Sequence, residues 1–265
     1  MNLLKFTSCQ APNADAHCAA IAQYISAQIN IPTEFVGDVE WQERERMLDN
    51  GQAHVGWVCG LVYVRKMASP DPKFDLLAAP VMNGARYADR PMYFSDAIVR
   101  ADSPFRSFAD LRGRTWAFNE PGSHSGYNVT RWYLASREYG NGFFGRAIRS
   151  GAHQRSLQMI LDGQIDASAI DSTVLETELA RRPELASQIR IIETLGPSPI
   201  PPWMMQRSLP QELKEALRQA FAAMRTDPRG RAVLDAGRMS RFALVADSDY
   251  DPIREMDRVA ESVRW

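Results

Sequence analysis

The chain has 265 residues, 45% of them hydrophobic and 24% charged, a composition that supports packed cores and excludes a disordered chain. Its 31 Lys and Arg against 32 Asp and Glu leave a formal charge of −1, so no broad basic face exists to bind nucleic acid by counterion release. The length suits one large domain or two lobes of about 100 to 150 residues.

In chain order, strand-like Leu3–Thr7 is followed by a helix over Ala14–Gln28, a strand at Thr33–Val36, a helix over Gln42–Asn50 and a strand at His54–Val58. This alternation is the grammar of a sheet flanked by helices. It returns as strand Thr115–Phe118, helix Ser125–Arg137, strand Ala147–Arg149, helix His153–Leu161 and strand Asp166–Ile170. A short echo supports two related units, since Leu48–Val58 and Leu161–Ile170 share a helix end, a Gly-Gln turn and a strand. In each copy the chain leaves the carboxyl end of a strand, at Cys59-Gly60 and at Asp171-Ser172, where open α/β sheets place ligands.

Two apolar, β-rich segments, Pro91–Val99 and Ile189–Thr194, bracket the second unit, and the Pro-rich Gly196–Pro202 follows. They read as crossovers. The remaining helices near Gln211–Arg225, Arg229–Ala236 and Asp251–Val263 are expected to pack back on the first lobe. Lobe I is then 1–94 with 196–265, lobe II is 95–195, and hinge crossovers lie near 91–97 and 193–199. The expected fold class is α/β, with two lobes, each a mixed sheet flanked by helices, and a cleft between them.

Within this frame Phe118–Trp132, FNEPGSHSGYNVTRW, carries the most chemistry. It reads as a strand running into a Gly/Ser-rich turn that opens a helix. Such a turn presents unpartnered backbone N–H groups at the positive end of a helix dipole, and Ser123, His124 and Ser125 add side-chain donors without formal charge. A cap and a tight turn explain the same residues. No nucleophile elbow is present, because the middle position of Gly-x-Ser-x-Gly is His124, and the Walker ending Gly-Lys-Ser/Thr is absent. The turn suits holding an anion better than attacking one.

Cys9, Cys18 and Cys59 show no C-x-x-C pair, and His17, His54, His124 and His153 show no metal-ligand spacing; neither a disulfide framework, a metal nor a cofactor is expected. No run approaches the ~18 apolar residues of a membrane span, so membrane insertion is not expected. The Arg-rich pieces Arg44–Arg46, Arg112–Arg114 and Arg181-Arg182 alternate with acids and read as solvated faces.

Several stretches together resemble the PhnD-like phosphate, phosphite and phosphonate-binding proteins, solute receptors of ABC importers with the type II periplasmic-binding fold. They are Asp49–Tyr63 (DNGQAHVGWVCGLVY), Arg86–Ser103 (RYADRPMYFSDAIVRADS), Phe108–Tyr127 (FADLRGRTWAFNEPGSHSGY), Ser150–Ser172 (SGAHQRSLQMILDGQIDASAIDS) and the Pro-rich turn before Trp203. The resemblance implies that Ser123, Ser125 and the amides up to Gly126 grip the anion. His124 departs from the small hydroxyl usual there; its imidazole adds a titratable donor or fills space left by a smaller ligand. By the same resemblance Tyr93, His153 and Asp171 contact the ligand, and Trp57 and Cys59 occupy the corresponding loop of the first lobe.

Each role has a structural alternative. Asp171 can be a helix cap, with Thr173 and Glu176 able to form a capping box one step later. His153 can be a solvated cap, Tyr93 and Tyr127 core residues with a satisfied hydroxyl, and Trp57 and Trp203 seals of a lobe's core. Facing an anion, Asp171 would favour a protonated P–OH over sulfate, since two bare anions repel.

The implied function is that of a monomeric solute-binding protein, not an enzyme. It captures a small phosphonate-, phosphate- or phosphite-like oxyanion by closure of its lobes, with an ABC permease as possible partner. Its expected location is periplasmic if a leader was removed and cytoplasmic if Met1 is the native start. The alternatives are a cytoplasmic sensor and an aminopyrimidine-binding or thiamine-precursor-type protein, the latter including a pyrimidine synthase.

Overall fold

The computed structural model describes residues 2–264. Up to residue 91 the elements are β1 (Leu4–Ser8), α1 (Asp15–Ile29), β2 (Thr33–Val36), α2 (Trp41–Asp49), β3 (Val55–Trp57), α3 (Gly60–Met67) and β4 (Phe74–Met82). There follow β5 (Met92–Arg100), β6 (Thr115–Phe118), α4 (Val129–Ser136), β7 (Arg146–Arg149), α5 (His153–Leu161), β8 (Ala167–Asp171), α6 (Ser172–Arg181) and β9 (Ile189–Pro199). The last are β10 (Trp203–Gln206), α7 (Gln211–Ala223), α8 (Pro228–Ala236), β11 (Met239–Ala243) and α9 (Asp251–Ala260). They form two compact units, residues 2–92 with 199–250 and residues 93–198 with 251–264.

The first unit holds a six-stranded sheet in the order β11-β4-β10-β3-β1-β2. Strand β1 is parallel to β2 and β3, whereas β10 runs antiparallel to β3 and β4. The late segment therefore supplies a central strand. Its Trp203 stacks on Trp57 at 5.9 Å and meets Phe6 and Phe221 at 6.2 and 5.5 Å, so strands far apart in sequence share one aromatic core. Helix α1 ends at Asn30, which takes the left-handed conformation (φ 54°) that a helix stop requires.

The expectation of a solvated Arg44 is wrong. Its side chain is buried, because the carboxyl ends of β1 and β2 leave carbonyls and a carboxylate that no backbone group satisfies. Arg44 Nε donates to the Val39 carbonyl at 2.7 Å, Nη1 to Ser8 at 3.0 Å, and the two Nη atoms to both oxygens of Asp15 at 2.9 Å; Nη2 also meets the Gly37 carbonyl. Arg46, two positions on, does stand in solvent.

The second unit holds a five-stranded sheet in the order β7-β6-β8-β5-β9. Strands β7, β6 and β8 are parallel and β5 is antiparallel to β8. Below it packs an aromatic core of Phe108, Trp116, Tyr133, Phe143 and Phe144.

Helix α9 corrects the assignment of Asp251–Val263 to the first lobe. It packs on α4, its Met256 and the following Val263 lie in the Trp116 core, Arg131 Nε donates to the Val263 carbonyl at 2.8 Å, and the Arg264 N–H donates to Asn141 at 2.7 Å. An amphipathic helix requires an apolar partner, and its own sequence does not say which unit supplies it.

Among the described residues no helix is long and apolar enough to cross a membrane, and no group of three or more His, Cys, Asp or Glu is placed to hold a metal ion.

Arg44→Ala removes a buried cation and leaves five oxygen partners without it. We expect a loss of about 3 kcal/mol, the low end for breaking a buried pair because Asp15 keeps some solvent, read by urea unfolding. A loss below ~0.5 kcal/mol, the surface-substitution range, would show that the network is dispensable.

Candidate functional site

Strand β6 ends at Phe118, and the chain turns through Asn119–Gly122 into a π-type turn, His124–Asn128, that feeds α4. The expected α-helix over Ser125–Arg137 therefore begins in a wider turn. The Asn128 N–H donates to the Ser123 carbonyl at 3.0 Å and the Val129 N–H to the His124 carbonyl, five residues back in each case; such turns concentrate at functional sites. Ser123 Oγ accepts from the Gly126 N–H at 3.1 Å, so this hydroxyl caps the turn. Gly126 is required by space, since a Cβ there would stand 1.9 Å from Asn119 Oδ1.

Three polar side chains from three elements converge beside this turn. Ser125 Oγ lies 3.0 Å from His153 Nε2, at the start of α5, and lies near enough to Asp171, the last residue of β8, to pull its titration down. His153 and Asp171 are each 6% exposed, which rules out the solvated-cap reading of His153. Asp171 does cap α6: Oδ1 accepts from the Thr173 N–H at 2.9 Å and from Thr173 Oγ1 at 2.7 Å. The cap and the nearness of Ser125 coexist.

Burial governs the titration of both groups. It raises Asp171 from 3.8 to about 6, against the pull of the Thr173, Val174 and Ser125 donors, and lowers His153 from 6.5 to about 4, against a bond to the Ala169 backbone. His153 is thus neutral at pH 7, and the Asp171 carboxylate has only neutral donors around it.

His124 is 0% exposed. Its Nε2 lies 2.9 Å from Ser198 Oγ and its Nδ1 3.3 Å from Asn128 Nδ2, and its ring centroid is 6.4 Å from that of Tyr93. Both ring nitrogens are engaged inside the unit. Tyr93 is buried at the second residue of β5, while Tyr127 packs on Phe118 and beneath Arg131.

The structure thus gathers Ser123, His124, Ser125, Gly126, Tyr93, His153 and Asp171 in the second unit. Trp57 and Cys59 belong to the first. Trp57 is a core residue, 7% exposed, whose indole N–H donates to the Pro201 carbonyl at 2.8 Å in addition to the stack on Trp203. Cys59 is the half-buried cap position of α3, its carbonyl accepting from Tyr63 at 2.9 Å. Sequence reasoning missed Ser198, Asn128 and Thr173 as supports of the site. Only Thr173 had a local signal, two positions beyond a capping Asp.

Two units, each a mixed sheet flanked by helices, define the α/β fold of the type II periplasmic binding proteins. The structure matches PhnD1 from Prochlorococcus marinus in complex with methylphosphonate, at TM-score 0.85 and 17% identity over 98% of this chain and 99% of that one. It also matches a binding protein component of an ABC phosphonate transporter from Pseudomonas aeruginosa, at TM-score 0.84 and 19% identity over 98% and 86%. Residues 6–250 match the family described as ABC transporter, phosphonate, periplasmic substrate-binding protein, and the chain belongs to that family. A curated relative, the phosphonates-binding periplasmic protein of Escherichia coli, is 25% identical over 171 residues, 63% of this chain; the match spans half the length of that relative.

Gly126→Ala should cost about 1–3 kcal/mol by forcing the turn off Asn119, whereas Gly122→Ala, with open space around it, should be neutral; equal melting temperatures for the two variants would refute the packing argument. Asp171 has the opposite sign of linkage from most carboxylates. Its folded pKa is raised, so its contribution is complete below pH 3.8 and is lost as pH rises through about 6. Raising it from 3.8 to about 6 bounds the cost to the empty protein at about 3 kcal/mol at pH 7. Asp171→Asn should therefore stabilise the empty protein at pH 7.5 and lose that advantage near pH 4, measured by denaturant unfolding at both pH values.

Proposed function

We propose that this protein captures a small phosphorus oxyanion, a phosphonate, phosphate or phosphite, on the second unit's turn and delivers it unchanged to an ABC permease. The observation that supports this most is the convergence of Ser125, His153 and Asp171, all buried and none positively charged, beside the N–H groups of the Ser123–Gly126 turn. Neutral donors hold an oxyanion by hydrogen bonds whose strength grows as water is excluded. Closure about the chain crossings at 92–93 and 198–199 would supply that exclusion. Tyr93 is assigned as a further contact, and His124 as a support of the turn.

Asp171 sets the choice among anions. A ligand carrying P–OH donates to the carboxylate, whereas sulfate at neutral pH has no proton to give and meets repulsion. The same geometry argues against bond-breaking chemistry. Ser125 and His153 are spaced like a nucleophile and its base, but the Asp171 carboxylate is engaged with Thr173 and is not among the groups that shift His153. The relay needed to charge His153 in a transition state is absent.

A thermal-shift series with phosphate, phosphite, methylphosphonate, 2-aminoethylphosphonate and sulfate tests the reading. A true ligand at 100 times its dissociation constant should stabilise by about 2.7 kcal/mol, and Ser125→Ala should abolish the shift. No shift with any phosphorus anion, or an equal shift with sulfate, would sink it.

A further inference from the structure

The side chains of Ser123, His124 and Ser125 go to three different places. Ser123 Oγ caps the turn itself, and Ser125 Oγ meets His153. His124 leaves the turn altogether. It is fully buried, and its ring reaches residues that adjoin the points where the chain passes from one unit to the other.

Those points are 92–93, 198–199 and 250–251. Tyr93 is the first residue after one of them, and its ring centroid lies 6.4 Å from that of His124. Ser198 is the last residue before the next, and its Oγ lies 2.9 Å from His124 Nε2. Ser198 Oγ donates in turn to Met256 Sδ at 3.8 Å, in α9, the helix that begins at the third crossing. One side chain of the turn thus bears, directly or through a single hydroxyl, on all three crossings.

Two of the crossings are also tied to each other. Strands β5 and β9, which lead into and out of them, are neighbours in the second sheet, and beyond them the Ile200 N–H donates to the Pro91 carbonyl at 3.0 Å. The His124 ring is held from the turn's side as well, with Nδ1 at 3.3 Å from Asn128 Nδ2 and its backbone carbonyl accepting from the Val129 N–H. Asn128 and Ser198 are both buried. In a close-packed interior a ring fixed at both nitrogens passes a displacement on to its partners instead of absorbing it.

We propose that His124 is a positioning residue that couples the anion turn to the chain crossings, so that capture of an oxyanion on the turn and bending of the crossings are one event. This rests on the receptor reading above. As the N–H groups of Ser123–Gly126 draw in on the oxyanion, the His124 backbone moves with them, and the ring carries the shift to Tyr93 and Ser198. The coupling is reciprocal, so the conformation of the crossings also sets the shape of the empty turn. A serine or threonine hydroxyl at this position ends one bond beyond Cβ and would not make the link to Ser198.

Amide hydrogen exchange in the wild type, His124→Gln, His124→Asn and Ser198→Ala tests the proposal. The amide nitrogen of Gln reaches where Nε2 stands, whereas that of Asn reaches only as far as Nδ1. In the empty protein, His124→Asn and Ser198→Ala should each speed exchange about tenfold, the loss expected for one buried hydrogen bond, both at the turn and at Tyr93 and Ser198. A change confined to the segment that carries the substitution would overturn the coupling. With methylphosphonate, the wild type and His124→Gln should gain protection at the turn and at the crossings. His124→Asn and Ser198→Ala should gain it at the turn alone, with dissociation constants raised about tenfold. Protection of the crossings that persists in those two variants, or an equal deficit in His124→Gln and His124→Asn, would overturn the proposal. If neither methylphosphonate, phosphate nor phosphite binds the wild type, the receptor reading falls instead, and exchange in the empty protein still decides whether turn and crossings are coupled.

Discussion

A carboxylate buried among neutral donors is the constraint on which the second unit depends. Asp171 ends a strand in the middle of its sheet and is 6% exposed, and no arginine or lysine is among the groups that shift it. Its charge is held by the N–H groups that open α6, by the Thr173 hydroxyl and by Ser125. A cation in that place would have neutralised Asp171 in the empty protein and would hold any anion indiscriminately. On the function proposed above, neutral donors leave the carboxylate able to distinguish an anion that brings a proton from one that does not.

The first unit meets a similar problem with the opposite chemistry. There the ends of β1 and β2 converge on Arg44, and a guanidinium with five donors satisfies three carbonyls and one carboxylate at once. That network is closed upon itself and stiffens the loops after β1 and β2. The second unit's cluster is held by hydroxyl and backbone donors instead. The two units therefore share a strand-helix grammar and differ in what satisfies the end of a strand.

His124 is a large polar side chain held wholly inside the second unit. The π-type turn buries the ring, and Ser198 and Asn128 complete its hydrogen bonds. The flanking Ser123 and Ser125 keep separate tasks, one capping the turn and the other meeting His153.

Hydrophobic alternation and turn residues by themselves determined the strands and helices of both βαβ runs, because each of those elements is paid for by local period and capping. The Ser/Gly turn was legible for the same reason, whereas His153 and Asp171 were assigned to the ligand by resemblance to the family. The destination of α9, the burial of Arg44, the insertion of Trp203 beside Trp57 and the bond from His124 to Ser198 were decided only in three dimensions. Each joins residues tens to more than a hundred positions apart, or turns on which of two apolar faces a helix finds. No pattern within a window of a dozen residues contains that information, since the pairing is set by the free energy of the assembled core.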